Sequence, residues 1–127
     1  MVGGTKMRLF DRIKQFLNNK TEEEIEDFNE LLTREFGFVE YLYATSEGLP
    51  IMGTFKNYEV LSAKLPEIVK NLSELKPSRV YSIKVGDDVY TVVMITSEVL
   101  MLGRGIKELT WNEVNKLKEL SRSELGI

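Results

Sequence analysis

Residues 89–95 read Val-Tyr-Thr-Val-Val-Met-Ile, apolar at nearly every position. A strand of this kind is covered on both faces, which makes it central in a sheet. No other stretch restricts the possible folds as strongly. The preceding strand, Arg79–Val85, alternates only in part. Ser82 and Lys84 fall on one side, and Tyr81, Ile83 and Val85 on the other. That pattern fits an edge strand, or one whose outer face meets something else. Gly86-Asp87-Asp88 joins the two as a hairpin loop. Ser97-Glu98 then turns into a further strand, Val99–Leu102.

Upstream, Thr21 and Glu24 form a capping box, and the acids that follow suit the positive end of a helix dipole. Ile25, Phe28, Leu31, Leu32 and Phe36 make its apolar stripe, and Gly37 ends it. Phe38–Thr45 is rich in strand-forming residues. Ser46-Glu47-Gly48 is a hairpin loop, and Leu49–Phe55 returns with Pro50, which suits an edge position. Leu61, Leu65, Ile68, Val69, Leu72 and Leu75 recur at helical spacing. Either that helix starts near Ser62, with Pro66 in the tolerant first turn, which is the favoured reading, or it starts earlier and kinks at Pro66. The final helix starts at Thr110, with Glu113 completing a second box and Trp111, Val114, Leu117 and Leu120 as its buried stripe. At the other end, residues 1–6 have nothing to bury and are expected to fray. Leu9, Phe10, Ile13, Phe16 and Leu17 form a short amphipathic helix whose other positions include Lys6, Arg8, Arg12 and Lys14. The expected division is a basic extension over 1–20 and a single domain over 21–127.

Composition narrows the chemistry. Over 127 residues, 43 % hydrophobic and 29 % charged content describes a globular chain. The absence of His and Cys removes the usual neutral-pH base, the commonest metal ligands and every thiol nucleophile. A net charge of −3 carries no electrostatic footprint for nucleic acid. Gly48 to Thr54 has the glycine spacing of a phosphate-binding loop, yet lacks its lysine and runs as strand. Gly103-Arg104-Gly105 reads as a turn with a solvated arginine. Asp87 and Asp88 are too few to hold a divalent cation. The tyrosines at 41, 43, 81 and 90 read as sheet packing. No catalytic residue, metal ligand or cofactor is expected, and the chain is not expected to be an enzyme. No secretory or membrane-spanning pattern is present, so a cytoplasmic protein is expected.

From Thr21 onward the order is α-β-β-α-β-β-β-α, preceded by one extra helix. This is an α+β, three-layer sandwich: a five-stranded antiparallel sheet with helices on both faces. The string Val39-Glu-Tyr-Leu-Tyr-Ala-Thr-Ser-Glu-Gly-Leu-Pro-Ile51 resembles the first hairpin of the roadblock / dynein light chain family. Leu61-Ser-Ala-Lys-Leu65, opening the central helix, extends the resemblance, as do the closing strands and helix. The resemblance implies a non-enzymatic homodimer that binds a small Ras-like GTPase, as regulator or scaffold. It also implies that Arg79–Val85 pairs with its own copy, placing Arg79, Tyr81, Ile83 and Val85 at the dimer interface. Leu61, Leu65, Ile68 and Leu72 of the central helix join them. Longin domains share a similar element order. The alternative is a membrane-associated adaptor or longin-like trafficking module, in which the basic helix sets Arg8, Arg12 and Lys14 against a membrane surface or acidic partner; the plainer reading lays that helix on its own domain with a solvated outer face.

Overall fold

The computed structural model describes residues 7–127. The expected fraying of residues 1–6 and the expected place of Lys6 lie outside them. The elements run α1 (Leu9–Asn18), α2 (Glu22–Phe36), β1 (Glu40–Thr45), β2 (Pro50–Gly53) and α3 (Tyr58–Leu75). They continue with β3 (Val80–Val85), β4 (Asp88–Met94), β5 (Val99–Gly105) and α4 (Trp111–Leu125). The strands form one antiparallel sheet in the order β2-β1-β5-β4-β3.

Alternation along the strands builds two cores. Tyr41, Tyr43, Val93 and Met101 point to one face, where α1, α2 and α4 cover them with Ile13, Leu32, Phe36 and Leu117. Leu42, Ala44, Val92, Leu100 and Leu102 point to the other, where α3 lays Leu65 against them. The α+β sandwich is therefore the observed architecture. Tyr41 and Tyr43 belong to the first core, their hydroxyls bonded to Asn29 Oδ1 and Ser121 Oγ at 2.5 Å each. Pro50 opens the edge strand β2, where a missing N–H leaves no gap in the ladder.

The helix starts differ in detail from their sequence signals. At α4, Thr110 Oγ1 accepts from Glu113 N–H and Glu113 Oε1 accepts from Thr110 N–H, a complete box. At α2 only half forms: Thr21 Oγ1 accepts from Glu24 N–H, while the Glu24 carboxylate accepts from the Thr21 hydroxyl.

Helix α3 starts at Tyr58 rather than near Ser62, so Pro66 sits inside it. An interior proline costs about 3 kcal/mol and deprives the carbonyl four residues back of its helical partner. Burial outweighs that cost. Leu65 is buried, and Tyr58, Leu61 and Val69 pack half-buried on the same core, each apolar side chain contributing up to about 1.5–3 kcal/mol.

The β1–β2 loop lies against this part of α3. Gly48 has φ +92°, and a Cβ there would stand 3.2 Å from Ala63 Cα and 3.4 Å from the Ser62 carbonyl oxygen. Gly48→Ala is expected to cost about 1–3 kcal/mol through backbone strain and this contact. Urea unfolding that places the variant within 0.5 kcal/mol of wild type, as for a neutral surface change, would overturn this account.

Two strands also depart from expectation. Strand β5, not β4, lies at the centre, and β4 is second from the edge. The apolar excess of β4 has a specific destination: Tyr90 and Met94 are only half-buried, on the α3 face. Strand β5 also runs past Leu102 to Gly105, so Gly103-Arg104-Gly105 is strand rather than turn. Arg104 pairs with Glu40 of β1 and Tyr90 of β4. The flanking glycines leave space for Phe38 over Gly103 and for the Gly37 carbonyl beside Gly105.

Candidate interaction surface

Among the described residues strand β3 has only one neighbour, so one row of its backbone groups faces outward. Which row follows from the pairing. Met94 N–H donates to the Arg79 carbonyl at 2.9 Å, and Val85 is paired with Asp88 beside the Gly86-Asp87 turn. Backbone direction alternates along a strand. Residues 79, 81, 83 and 85 therefore turn their N–H and C=O toward β4, and Val80, Ser82 and Lys84 turn theirs to the open edge.

On the α3 side, the side chains of Tyr81, Ile83 and Val85 meet that edge. Beside them lies a groove of about 480 Å3 lined by Phe55, Leu61, Ile68, Ile83, Val85 and Tyr90. Val85 is 57 % exposed, and Leu75, one step beyond Leu72 on the α3 stripe, is 84 % exposed. Apolar side chains left uncovered beside an unpaired strand edge are the features of a candidate contact surface.

The residues expected at an interface divide by depth. Leu61, Ile68, Ile83 and Val85 line the groove. Leu72 is half-buried further along α3. Leu65 is fully buried within the chain, so it supports the surface from below and offers a partner no area. Tyr81 is half-buried: its hydroxyl donates to the Lys76 carbonyl at 2.8 Å and accepts from Ser78 N–H at 3.0 Å. Arg79 is exposed at the entry to β3. Leu75 and Tyr90 escaped the sequence-based selection, although Leu75 continues the α3 stripe and Tyr90 sits in the apolar run.

At one end of the groove, Arg104 is held between two carboxylates, Glu40 at 3.2 Å and Asp88 at 3.4 Å. The Glu40 bond, reinforced by the charges of Glu40 and Asp88, raises the guanidinium pKa further. The arginine is a cross-strand tie rather than a free side chain. Among the described residues no group of three or more acidic side chains is placed to hold a metal ion.

The opposite face offers a smaller trough of about 400 Å3 lined by Val80, Ser82, Leu109 and Trp111. Trp111 is 72 % exposed there, not part of the buried stripe, which runs through Val114, Leu117, Ser121 and Leu125. The first turn of α4 lies beside β3, the outermost strand, which leaves the ring largely exposed.

Helix α1 lies on its own domain. Ile13 and Leu17 are buried in the core beneath it, and Phe16 covers Gly126 at the end of α4. Lys14 Nζ donates to the Ile51 carbonyl at 3.1 Å, and Arg8 pairs with Asp11, leaving Arg12 exposed. Lys20 Nζ meets Glu124 Oε1 at 3.3 Å, while Glu124 Oε2 is buried without a hydrogen-bond partner. Burial raises the Glu124 pKa more than Lys20 lowers it, and Glu24 adds to the rise.

Between the ordinary glutamate pKa of about 4.3 and the raised folded value, the folded chain keeps a proton that the unfolded chain has released. That contribution to stability is complete below the ordinary value and is lost as pH rises through the folded one. Glu124→Gln removes the titration, so it is expected to flatten the fall in stability above about pH 4.3. Denaturant unfolding across that range checks this; an unchanged pH profile would refute it. No helix among the described residues is long and apolar enough to cross a membrane.

These features define an α+β sandwich whose β3 edge is open beside exposed apolar side chains of α3. The chain has the roadblock/LC7 fold. It superposes on Myxococcus xanthus MglB with TM-score 0.61 at 14 % identity, over 84 % of this chain and 94 % of that one. An MglB in a tetrameric arrangement matches with TM-score 0.58 at 11 % identity, over 96 % and 91 %. A Roadblock/LC7 domain from Streptomyces avermitilis matches with TM-score 0.58 at 10 % identity, over 78 % and 98 %. No family model matches the sequence, and none of the curated proteins does.

Proposed function

We propose that the chain works as a non-enzymatic homodimer that binds a small Ras-like GTPase, as its regulator or scaffold. The observation that carries this is the open β3 edge beside the apolar groove and the uncovered stripe of α3. A second copy satisfies both the unpaired backbone row and the exposed apolar side chains. The roadblock/LC7 fold supports a binding role, and the tetrameric MglB is a case of this fold assembling with itself. Attachment to a membrane through α1 has less support, because Ile13 and Leu17 are buried on the domain and Lys14 and Lys20 are engaged.

Two measurements test the proposal. Sedimentation equilibrium at micromolar concentration is expected to give twice the chain mass, and a strictly monomeric protein would overturn the dimer. Capture from native extract with the tagged protein, in GDP and in a GTP analogue, is expected to recover a small GTPase with a nucleotide preference. Recovery of none in either condition would overturn the partner.

A further inference from the structure

We propose that β3 pairs with β3 of a second copy in one register, centred on Ile83 and fixed by an ion pair between Arg79 of each copy and Asp87 of the other. This rests on the dimer reading above and adds what selects the alignment.

A two-fold axis perpendicular to the sheet makes the two β3 strands antiparallel. Directly opposed residues in an antiparallel pair share a face, so Tyr81, Ile83 and Val85 can oppose only one another or other odd-numbered positions. Four alignments then pair three or more residues of β3 with the other copy's β3. Centring on Tyr81 sets Ile83 against Arg79. Centring on Ser82 sets Val85 against Arg79. Centring on Lys84 sets the two lysines against each other and runs Tyr81 past the end of the other β3, beside its Gly86-Asp87 turn. Centring on Ile83 alone sets all three apolar side chains of this face, Tyr81, Ile83 and Val85, against one another. Ile83 meets Ile83, Tyr81 meets Val85 and Lys84 meets Ser82, while the long side chain of Arg79 comes beside the other copy's Gly86-Asp87 turn, within reach of Asp87.

The backbone agrees with this choice. Ser82 and Lys84 present outward N–H and C=O groups, and this alignment sets them opposite each other across the axis to exchange hydrogen bonds. Arg79 and Asp87 are both exposed, and neither has an ion-pair partner among the described residues. Asp88, the adjacent acid, is already bound to Arg104. A lysine on an edge strand discourages indiscriminate pairing. Here Lys84 excludes the one alignment that would bring it against its own copy.

The chain contains no cysteine, so single cysteines report the alignment cleanly. Tyr81→Cys, Ser82→Cys, Ile83→Cys and Lys84→Cys are oxidised in turn, after circular dichroism has shown each folded. Ile83→Cys is expected to cross-link, because opposed residues of a non-hydrogen-bonded pair lie about 4.5 Å apart between Cα atoms, within disulfide reach. Cross-linking confined to any of the other three overturns the register. Charge reversal supplies the second arm. Arg79→Glu and Asp87→Lys are each expected to weaken the dimer about tenfold at low salt, and an equimolar mixture of the two variants to recover wild-type affinity, since both cross-copy pairs are then restored. A wild-type dimer whose single variants associate unchanged overturns the ion pair, and a wild-type protein that is monomeric overturns the dimer itself.

Discussion

Replacing Ser82 with proline is expected to leave the chain folded and to abolish most of its self-association. The Ser82 N–H points to the open edge, so its loss removes nothing from the β3–β4 ladder. Proline is tolerated on edge strands in that orientation, and the residue before it, Tyr81, is already extended. In a dimer joined along β3, the same change strips a donor from each copy. Each leaves an acceptor across the interface unpaired, at about 1–3 kcal/mol. With two such sites the dimer weakens at least about thirtyfold. Ile83→Pro provides the contrast: its N–H points at β4, so that variant is expected to lose native stability itself. Sedimentation and thermal unfolding of both variants separate the two effects. A Ser82→Pro protein that dimerises as well as wild type would show that β3 is not the joining edge.

Gly103→Val is expected to cost about 3 kcal/mol, lowering the melting temperature by about 10 °C. Gly103 lies in the central strand, paired with Tyr41 and Thr91. A Cβ there would stand 2.7–2.8 Å from three atoms of the Phe38 ring. The ring has nowhere to go: it is buried, and the Phe36 ring lies 6.1 Å away between centroids. Phe38→Ala alone is expected to cost about 3–5 kcal/mol by leaving a cavity. Combined with Gly103→Val, the total is expected to fall short of the sum by about 0.5–3 kcal/mol, since the valine occupies part of the vacated space. Additive losses in denaturant unfolding would mean that the ring is not the obstacle.

The same contact explains why Gly103-Arg104-Gly105 looked like a turn. Two glycines around a charge are a loop signal when only neighbours along the chain are considered. In the fold, the glycines make room for Phe38 and the Gly37 carbonyl, while Arg104 ties Glu40 to Asp88 across three strands. Each partner is distant in sequence, so nothing local announces it. Trp111 is the converse case. Its helical spacing matches the buried stripe of α4, yet that turn lies beside the outermost strand and the ring stays exposed.

The sequence by itself determined the kinds and order of the elements and the helix starts at Thr21 and Thr110, and it pointed to edge positions for β2 and β3. Those features rest on local physics: helical and strand periodicity, capping hydrogen bonds, and the missing donor of Pro50. Only the tertiary structure decided that β5 rather than β4 is central, that α3 runs through Pro66, and which backbone row of β3 faces outward. Each of these depends on competition between long-range burial and local cost, as where the packing of Tyr58, Leu61, Leu65 and Val69 outweighs an interior proline. The apolar residues at the open groove show the boundary most clearly. In sequence, a side chain destined for its own core and one left uncovered at an edge have the same chemistry, and the position of β3 at the sheet edge distinguishes Ile83 and Val85 from Val92.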